Sequence, residues 1–485
     1  MPDSEAVAVE VTPLRTVGKN TVVTLVGTLV NAAASALLTI IAARYLGDEK
    51  FGVYGFAASF GALFSVFADL GLGTLAVREV AQDRRRLALY LDNIWTMKWL
   101  LGGCFSLLAC ITINVMNRSL DVRLVVYAVS GSVFLGSISS GLRWSFQAFQ
   151  IMEYDALYVV TLALLRLGGA LGVLMAGYGV LHLALVDVAA NAVVLVGMIA
   201  IVRRVFGWHL HWSPDVAFWK RLLREAFPLA LMLVFSAVYL NNGPVLLSAL
   251  AGDAATGWYA AANRLAGLMR FIPAVFVPAI YPVMSEAYTL SGQRFAMVVG
   301  QSLRLLLLAG LPIVVFLTVF GDAIVRLIYG GSFANAVRPL QMLAWSALFM
   351  FVSSVLGYGL ISAGLQKVNA AITGLGMLVN VLLNWILIPR YAAVGASISV
   401  LAVEAIVASL AILAMRKNRL SGVTMMPLLR LGCTALLMGG ALYALREHLA
   451  LAALLGVPVY LVGSVLTGAV SLDDCRLASR MVARS

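Results

Sequence analysis

The chain has 485 residues, of which 62% are hydrophobic and only 12% charged, with a formal net charge of +12. A water-soluble chain carries about a quarter charged residues, so half that fraction excludes a protein with a mainly aqueous surface and points to lipid as its solvent. A net charge of +12 in a soluble chain would suggest nucleic acid as partner, but here the charges fall between apolar runs and the rule that basic loops stay cytoplasmic accounts for most of them.

Residues 1–20 read as a polar tail ending on Arg15 and Lys19. The apolar run Thr21–Ala43 is longer than the core of a signal peptide and is expected to be an uncleaved first helix. Five more spans follow at 51–72, 92–116, 123–142, 156–176 and 178–202. A segment at 203–225 has the pattern of an amphipathic surface linker. Six further spans lie at 226–250, 257–284, 296–320, 339–363, 368–388 and 392–415, and a last pair near 427–446 and 449–470. Each has about the 20 apolar residues that a crossing helix needs. The expected fold is therefore an all-α integral membrane protein of about 14 transmembrane helices. It divides into a tail at 1–20, a six-helix bundle at 21–202, the linker at 203–225, a second six-helix bundle at 226–415, an additional pair at 416–470 and a tail at 471–485.

Orientation follows from lysine and arginine. With the N-terminus inside, cytoplasmic segments hold roughly 21 of the 34 basic residues, including Arg84–Arg86, Arg203, Arg204, Lys220, Arg221 and Arg224. Both termini are expected in the cytoplasm. Cys104, Cys110, Cys433 and Cys475 form no CxxC pair and no ligand set with the four histidines, so no metal or cofactor is expected.

An internal repeat is the most informative pattern. Gly47-Asp48-Glu49-Lys50-Phe51-Gly52-Val53-Tyr54 and Gly252-Asp253-Ala254-Ala255-Thr256-Gly257-Trp258-Tyr259 both read G-D-x-x-x-G-x-Y, 205 residues apart. Tyr178 and Tyr391 repeat 213 residues apart at two further junctions. Two units with even numbers of spans enter the membrane in the same direction, so their axis runs along the membrane normal and binding is expected between the halves.

The stretch Ala43-Arg44-Tyr45-Leu46-Gly47, Phe51-Gly52-Val53-Tyr54, Ala68-Asp69-Leu70-Gly71-Leu72-Gly73 and Arg78-Glu79-Val80-Ala81 resembles bacterial lipid-linked oligosaccharide flippases of the polysaccharide transporter family, the O-antigen and exopolysaccharide type. That family shares a superfamily with the MATE multidrug exporters and the lipid II flippase MurJ. The resemblance implies two six-helix bundles around a central cavity working by alternating access in the bacterial inner membrane. It implies a lipid-linked oligosaccharide as substrate, a counter-ion such as H+ or Na+, association with polysaccharide polymerase machinery, and a monomer. No catalytic residue is carried over.

Charged groups inside spans are costly and usually face protein or a water-filled cavity. The basic ones are Lys98, Arg166, Arg264, Arg270 and Arg304; the acidic ones are Asp69, Asp187 and Glu404. A lipid diphosphate suits guanidinium, whose planar fork binds phosphate oxygens in pairs. Arg270, near the middle of its span, leads the candidates, and Asn263 and Gly267 are expected on its face. Arg166, Arg264 and Arg44 follow, with topology anchoring as the competing role of the last two and an ion pair with Asp187 as that of Arg166. Lys98 is expected to snorkel to the cytoplasmic surface. Glu404 and Asp187 are candidates for ion coupling; Glu404 stands opposite Asn191 in the repeat. Asn380 and Asn384 share a helix face suited to interhelical hydrogen bonds. Asn241-Asn242-Gly243-Pro244 is expected to open its helix, and Pro273, Pro278 and Pro282 to bend theirs.

Two other readings compete. A MATE-like exporter of small cations favours an acidic cavity, whereas these spans are net basic. A membrane-embedded glycosyltransferase or polymerase needs a substantial external loop bearing a carboxylate, and no connection much exceeds 20 residues.

Overall fold

Apolar runs of this length leave backbone amides without water to bond, and a helix satisfies them within one segment. The computed structural model describes residues 14–209, 211–418, 420, 425–445 and 448–468, and among these it contains no strand. Among the described residues ten helical segments are long and apolar enough to cross a membrane. In chain order the helices are α1 (Leu14–Asp69), α2 (Leu72–Gln82), α3 (Leu87–Val115), α4 (Leu120–Ala148), α5 (Met152–Met175), α6 (Val180–Phe206), α7 (Val216–Leu250), α8 (Asp253–Gly267), α9 (Phe271–Leu290), α10 (Gly292–Tyr329), α11 (Val337–Ser362), α12 (Gln366–Lys417), α13 (Met425–Ala444) and α14 (Leu449–Leu466).

Two of these helices are not straight. At 1.5 Å per residue α1 would extend roughly 80 Å, far beyond the roughly 30 Å of a hydrocarbon core. It breaks at Gly47 (φ 72°, ψ 176°). Helix α12 breaks likewise at Ala392 (φ 47°, ψ −128°). Gly252, which starts α8, has nearly the same backbone as Gly47 (φ 89°, ψ 172°). The first glycines of the two sequence repeats are thus locally equivalent turns.

The chain contacts define two compact units. The first takes in the chain up to Tyr45 and Phe60–Ala237; the second takes in Leu46–Ser59 and the chain from Val238 onward. In the first unit, α4 packs on α2, α3 and α6, and α6 also packs on α5. Its core is rich in aromatic residues, including Tyr90, Trp95, Trp144, Phe146, Trp208 and Phe218. The segment before α7 docks on α3 through a few side chains, while most of its residues stay exposed. Trp208 Nε1 donates to Asp92 Oδ1 at 2.6 Å, Ser213 N to Thr96 Oγ1 at 3.3 Å and Trp219 Nε1 to Asn93 Oδ1 at 2.9 Å. The indoles and the polar groups near the start of α3 satisfy one another there, and α7 starts ten residues earlier than the apolar pattern indicates. At the α2–α3 turn, the Arg85 side chain, hydrogen-bonded to Asp83, holds the Asp83 carboxyl below its usual range.

In the second unit, α11 packs on α8, α9, α10 and α12 around Phe295, Phe351, Leu356 and Met284. The two repeat motifs meet within this unit. A Cβ on Gly52 would overlap the Asp253 carbonyl, and a Cβ on Gly257 would overlap the Asp48 carbonyl. Trp258 Nε1 seals the contact by donating to Asp48 Oδ2 at 2.8 Å. The second glycine of each motif is therefore required by close backbone approach, each against the other motif.

Candidate functional site

Proline chemistry shapes the site in the second unit. Pro273 lacks the amide that would bond the Met269 carbonyl, and the helix tightens into a 3-10 turn at Leu268–Arg270 between α8 and α9. Arg270 is the last residue of that turn. Arg270 Nη2 donates to Asn263 Oδ1 at 3.0 Å, so the two share a face as the spacing predicts. Among the described residues no carboxylate lies within ion-pair distance of Arg270, and its side chain is exposed to a cavity of about 90 Å³ lined also by Tyr239, Tyr259, Asn263, Ser346 and Glu404.

Glu404 is buried in α12. Its Oε1 accepts from the Tyr239 hydroxyl at 2.6 Å, and its Oε2 from Ser353 at 3.4 Å. The same carboxylate lines an adjoining cavity of about 240 Å³ with Ser353, Ser354, Asn369 and Thr373. Nearby, Asn242 Nδ2 donates to Asn380 Oδ1 at 2.9 Å, and Asn384 Nδ2 donates to Asn242 Oδ1 at 2.6 Å. The shared face of Asn380 and Asn384 thus binds α7 to α12. Helix α7 runs unbroken through Asn241–Pro244 rather than opening; Asn242 Nδ2 also bonds the Val238 and Tyr239 carbonyls and ties that turn together.

The first unit contains a larger cavity of about 510 Å³, lined by Asn31, Ser65, Asp69, Ser132, Ser137, Ser140, Arg143, Tyr158, Arg166 and Asn191 among others. Arg166 Nε lies 3.1 Å from Asp187 Oδ1, the pair anticipated from their depths in α5 and α6. The Arg166 Nε proton nonetheless has no aligned hydrogen-bond acceptor. Lys98 does not snorkel. It is buried, only 1% exposed, and paired with Asp69, whose other side faces this cavity and is 44% exposed. A carboxylate within reach neutralises the ammonium more effectively than a stretched side chain would.

Sequence reasoning missed Arg143. It stands one residue past the apolar window but well inside α4, where Trp144 and Phe146 continue the buried helix face. Its Nε and Nη2 donate to Asp155 Oδ1 and Oδ2 at 2.8 and 3.0 Å, and its guanidinium lies 4.5 Å from the Tyr158 ring centre. The aromatic continuation of the helix was the available signal. Arg44 and Arg264 are exposed and line neither of these cavities. Asn191 and Glu404, matched in the repeat, each line a cavity in their own unit.

Among known proteins, the model of the family described as polysaccharide biosynthesis protein matches residues 17–288, and that described as MatE matches residues 228–386. A protein of Escherichia coli (strain K12) described as "Putative O-antigen transporter" is 22% identical over 393 residues, covering 78% of this chain and 91% of the relative. The solved structure of the lipid II flippase MurJ in an inward closed conformation is similar with a TM-score of 0.73 at 14% identity, covering 91% of this chain and 97% of that one. An inward-facing multidrug resistance MATE family transporter of the MOP superfamily gives a TM-score of 0.63 at 15% identity, with 80% and 94% covered. At these identities the two structures speak to the fold.

Proposed function

The chain belongs to the polysaccharide biosynthesis protein family, and on that premise we propose that it translocates lipid-diphosphate-linked oligosaccharide units across the cytoplasmic membrane for surface polysaccharide assembly. The relative described as an O-antigen transporter supports the substrate class. The observation that carries the reading is Arg270. It is a guanidinium on the 3-10 turn between two helices, held by an amide and free of any ion-paired carboxylate among the described residues. In a helix pair this apolar such a charge needs an anion, and its paired donors fit phosphate oxygens.

Alternating access is the proposed mechanism. Fourteen crossings are proposed: the breaks at Gly47 and Ala392 support two spans each in α1 and α12, and the shorter apolar helices α13 and α14 are taken as the last pair. The proposed bundles are 21–202 and 226–415, with 416–470 as an additional pair and both termini cytoplasmic, as the charge distribution favours. The Gly52–Gly257 contact is proposed to be the external closure that parts when the carrier opens outward. Glu404 is proposed as the carboxylate that couples a proton or sodium ion to transport, with Asp187 as the second candidate. Arg44 and Arg264 are proposed to guide anionic headgroups from outside the cavities. The small-cation exporter is the less favoured alternative, because the relative described as an O-antigen transporter supports an oligosaccharide cargo.

The test is surface glycan in a deletion strain complemented with each variant, with membrane levels checked. Arg270→Ala should lower export about 10- to 100-fold, the loss of one charge-assisted pair at about 1.5–3 kcal/mol. Arg270→Lys, which keeps charge but loses the fork, should fall between. Full export by a normally inserted Arg270→Ala protein would remove this residue from the mechanism.

A further inference from the structure

The cavity of the first unit differs in chemistry from the surroundings of Arg270. Its cations are already matched. Lys98 pairs with Asp69, Arg143 grips Asp155 through two hydrogen bonds, and Arg166 lies against Asp187. A diphosphate entering here would have to displace fixed carboxylates and would stand beside Asp69. The uncharged groups point the same way. Ser137 and Ser140 donate their protons to the carbonyls of Phe134 and Ser137, so their oxygens offer lone pairs to the cavity. Ser132 Oγ accepts from Asn191 Nδ2 at 3.0 Å and keeps its own proton to donate. Arg166 also lines the cavity, its side chain 37% exposed although Nε itself is buried against Asp187. The wall therefore offers both donors and acceptors. A sugar hydroxyl is both donor and acceptor, whereas a diphosphate oxygen can only accept. The volume of about 510 Å³ lies within the range of small-molecule sites, about 300–1,000 Å³.

We infer that this cavity is a saccharide subsite, which reads the uncharged sugar hydroxyls of the substrate through Ser132, Ser140, Asn191 and Arg166 and does not hold its diphosphate. The inference rests on the flippase reading above and assigns glycan selectivity to residues of α4, α5 and α6. Glycan preference is then set by which serine and amide groups line this wall, independently of the phosphate-binding arginine.

The test uses the full-length protein, purified in detergent, and two probes. One is the repeat-unit oligosaccharide released from the parent strain's surface polysaccharide, with a free reducing end. The other is farnesyl diphosphate, which carries no sugar. Ser132→Ala and Ser140→Ala should each weaken oligosaccharide binding about 3- to 10-fold, one neutral hydrogen bond apiece, and leave farnesyl diphosphate within about twofold. Arg270→Ala should do the reverse. Because a serine variant can fail to fold, a second measurement uses Ser140→Cys in a background without the four native cysteines. There the oligosaccharide should slow maleimide labelling and farnesyl diphosphate should not. Oligosaccharide binding that is absent or insensitive to the serines, or farnesyl diphosphate binding that falls with them, overturns the subsite alone. A folded wild-type protein that binds neither probe overturns the flippase reading itself.

Discussion

At the scale of single residues, the charged groups sort by whether their partner lies within reach. The Lys98–Asp69 pair makes an asymmetric prediction. Lys98 is buried and Asp69 is half-exposed to a cavity. Asp69→Asn strands an ammonium in the protein interior, whereas Lys98→Met leaves a carboxylate that water can reach. Asp69→Asn should therefore lower thermal stability more than Lys98→Met, with the upper bound set by the about 3–5 kcal/mol of breaking a fully buried pair. Melting of the two purified variants checks the order, and equal losses would contradict it. Glu404 makes a second prediction. Glu404→Gln keeps the shape of the Tyr239 contact and removes the charge, so transport should persist at a reduced rate and lose its response to an imposed proton or sodium gradient. Much of this scale was legible in the sequence. Arg166 with Asp187, and Arg270 with Asn263, follow from depth and helical spacing. Lys98 was misread because its partner lies 29 residues away on another helix, and Arg143 because an apolar window ends where a basic residue begins, although the helix does not.

Among the elements, the turns carry the strain. Gly47, Gly252 and Gly330 share a backbone with φ between 72° and 93° that glycine adopts without penalty. Ala392 takes a related positive-φ turn with a side chain, φ 47°. Such strain amounts to about 1–3 kcal/mol, and the greater chain entropy of glycine offsets about 0.5–1 kcal/mol of any relief. Ala392→Gly should thus raise thermal stability by about 1 kcal/mol; a lower melting temperature would show that the break at Ala392 is unstrained. The Gly52–Gly257 contact predicts the opposite sign. Gly257→Ala overlaps the Asp48 carbonyl and should destabilise by about 1–3 kcal/mol, while Gly267→Ala meets open space and should be nearly silent. Thermal melting of the pair checks both. The repeat motif predicted equivalent turns from sequence, but a one-dimensional pattern cannot reveal that the two copies press on each other. Nor could it reveal the docked segment before α7, because tryptophan and serine among charges look like a surface stretch until their partners on α3 are known.

For the whole molecule, composition and the spacing of apolar runs made the all-helical membrane fold readable, because a chain in lipid has few other ways to satisfy its backbone. The proposed topology predicts that a cysteine placed at Asn117 is labelled from outside the cell and one placed at His209 is not; the reverse pattern would invert every assignment of inner and outer surface. Reporters near Arg446 and Ser485, also suited to this test, lie outside the described residues. What composition cannot supply is the cargo, because lipid solvation dictates the outer surface and leaves the cavities to a few side chains. Translocation of that cargo is the claim to measure. Purified protein in liposomes, with a fluorescently labelled polyprenyl diphosphate oligosaccharide in both leaflets, should let a membrane-impermeant quencher extinguish nearly all of the signal over time. With empty liposomes quenching should stop at about the outer-leaflet half, the fraction an impermeant reagent reaches without transport across the apolar core, and with Arg270→Ala the remaining half should be lost about 10- to 100-fold more slowly than with the wild type. Folded wild-type protein that leaves the inner-leaflet signal untouched would contradict the account.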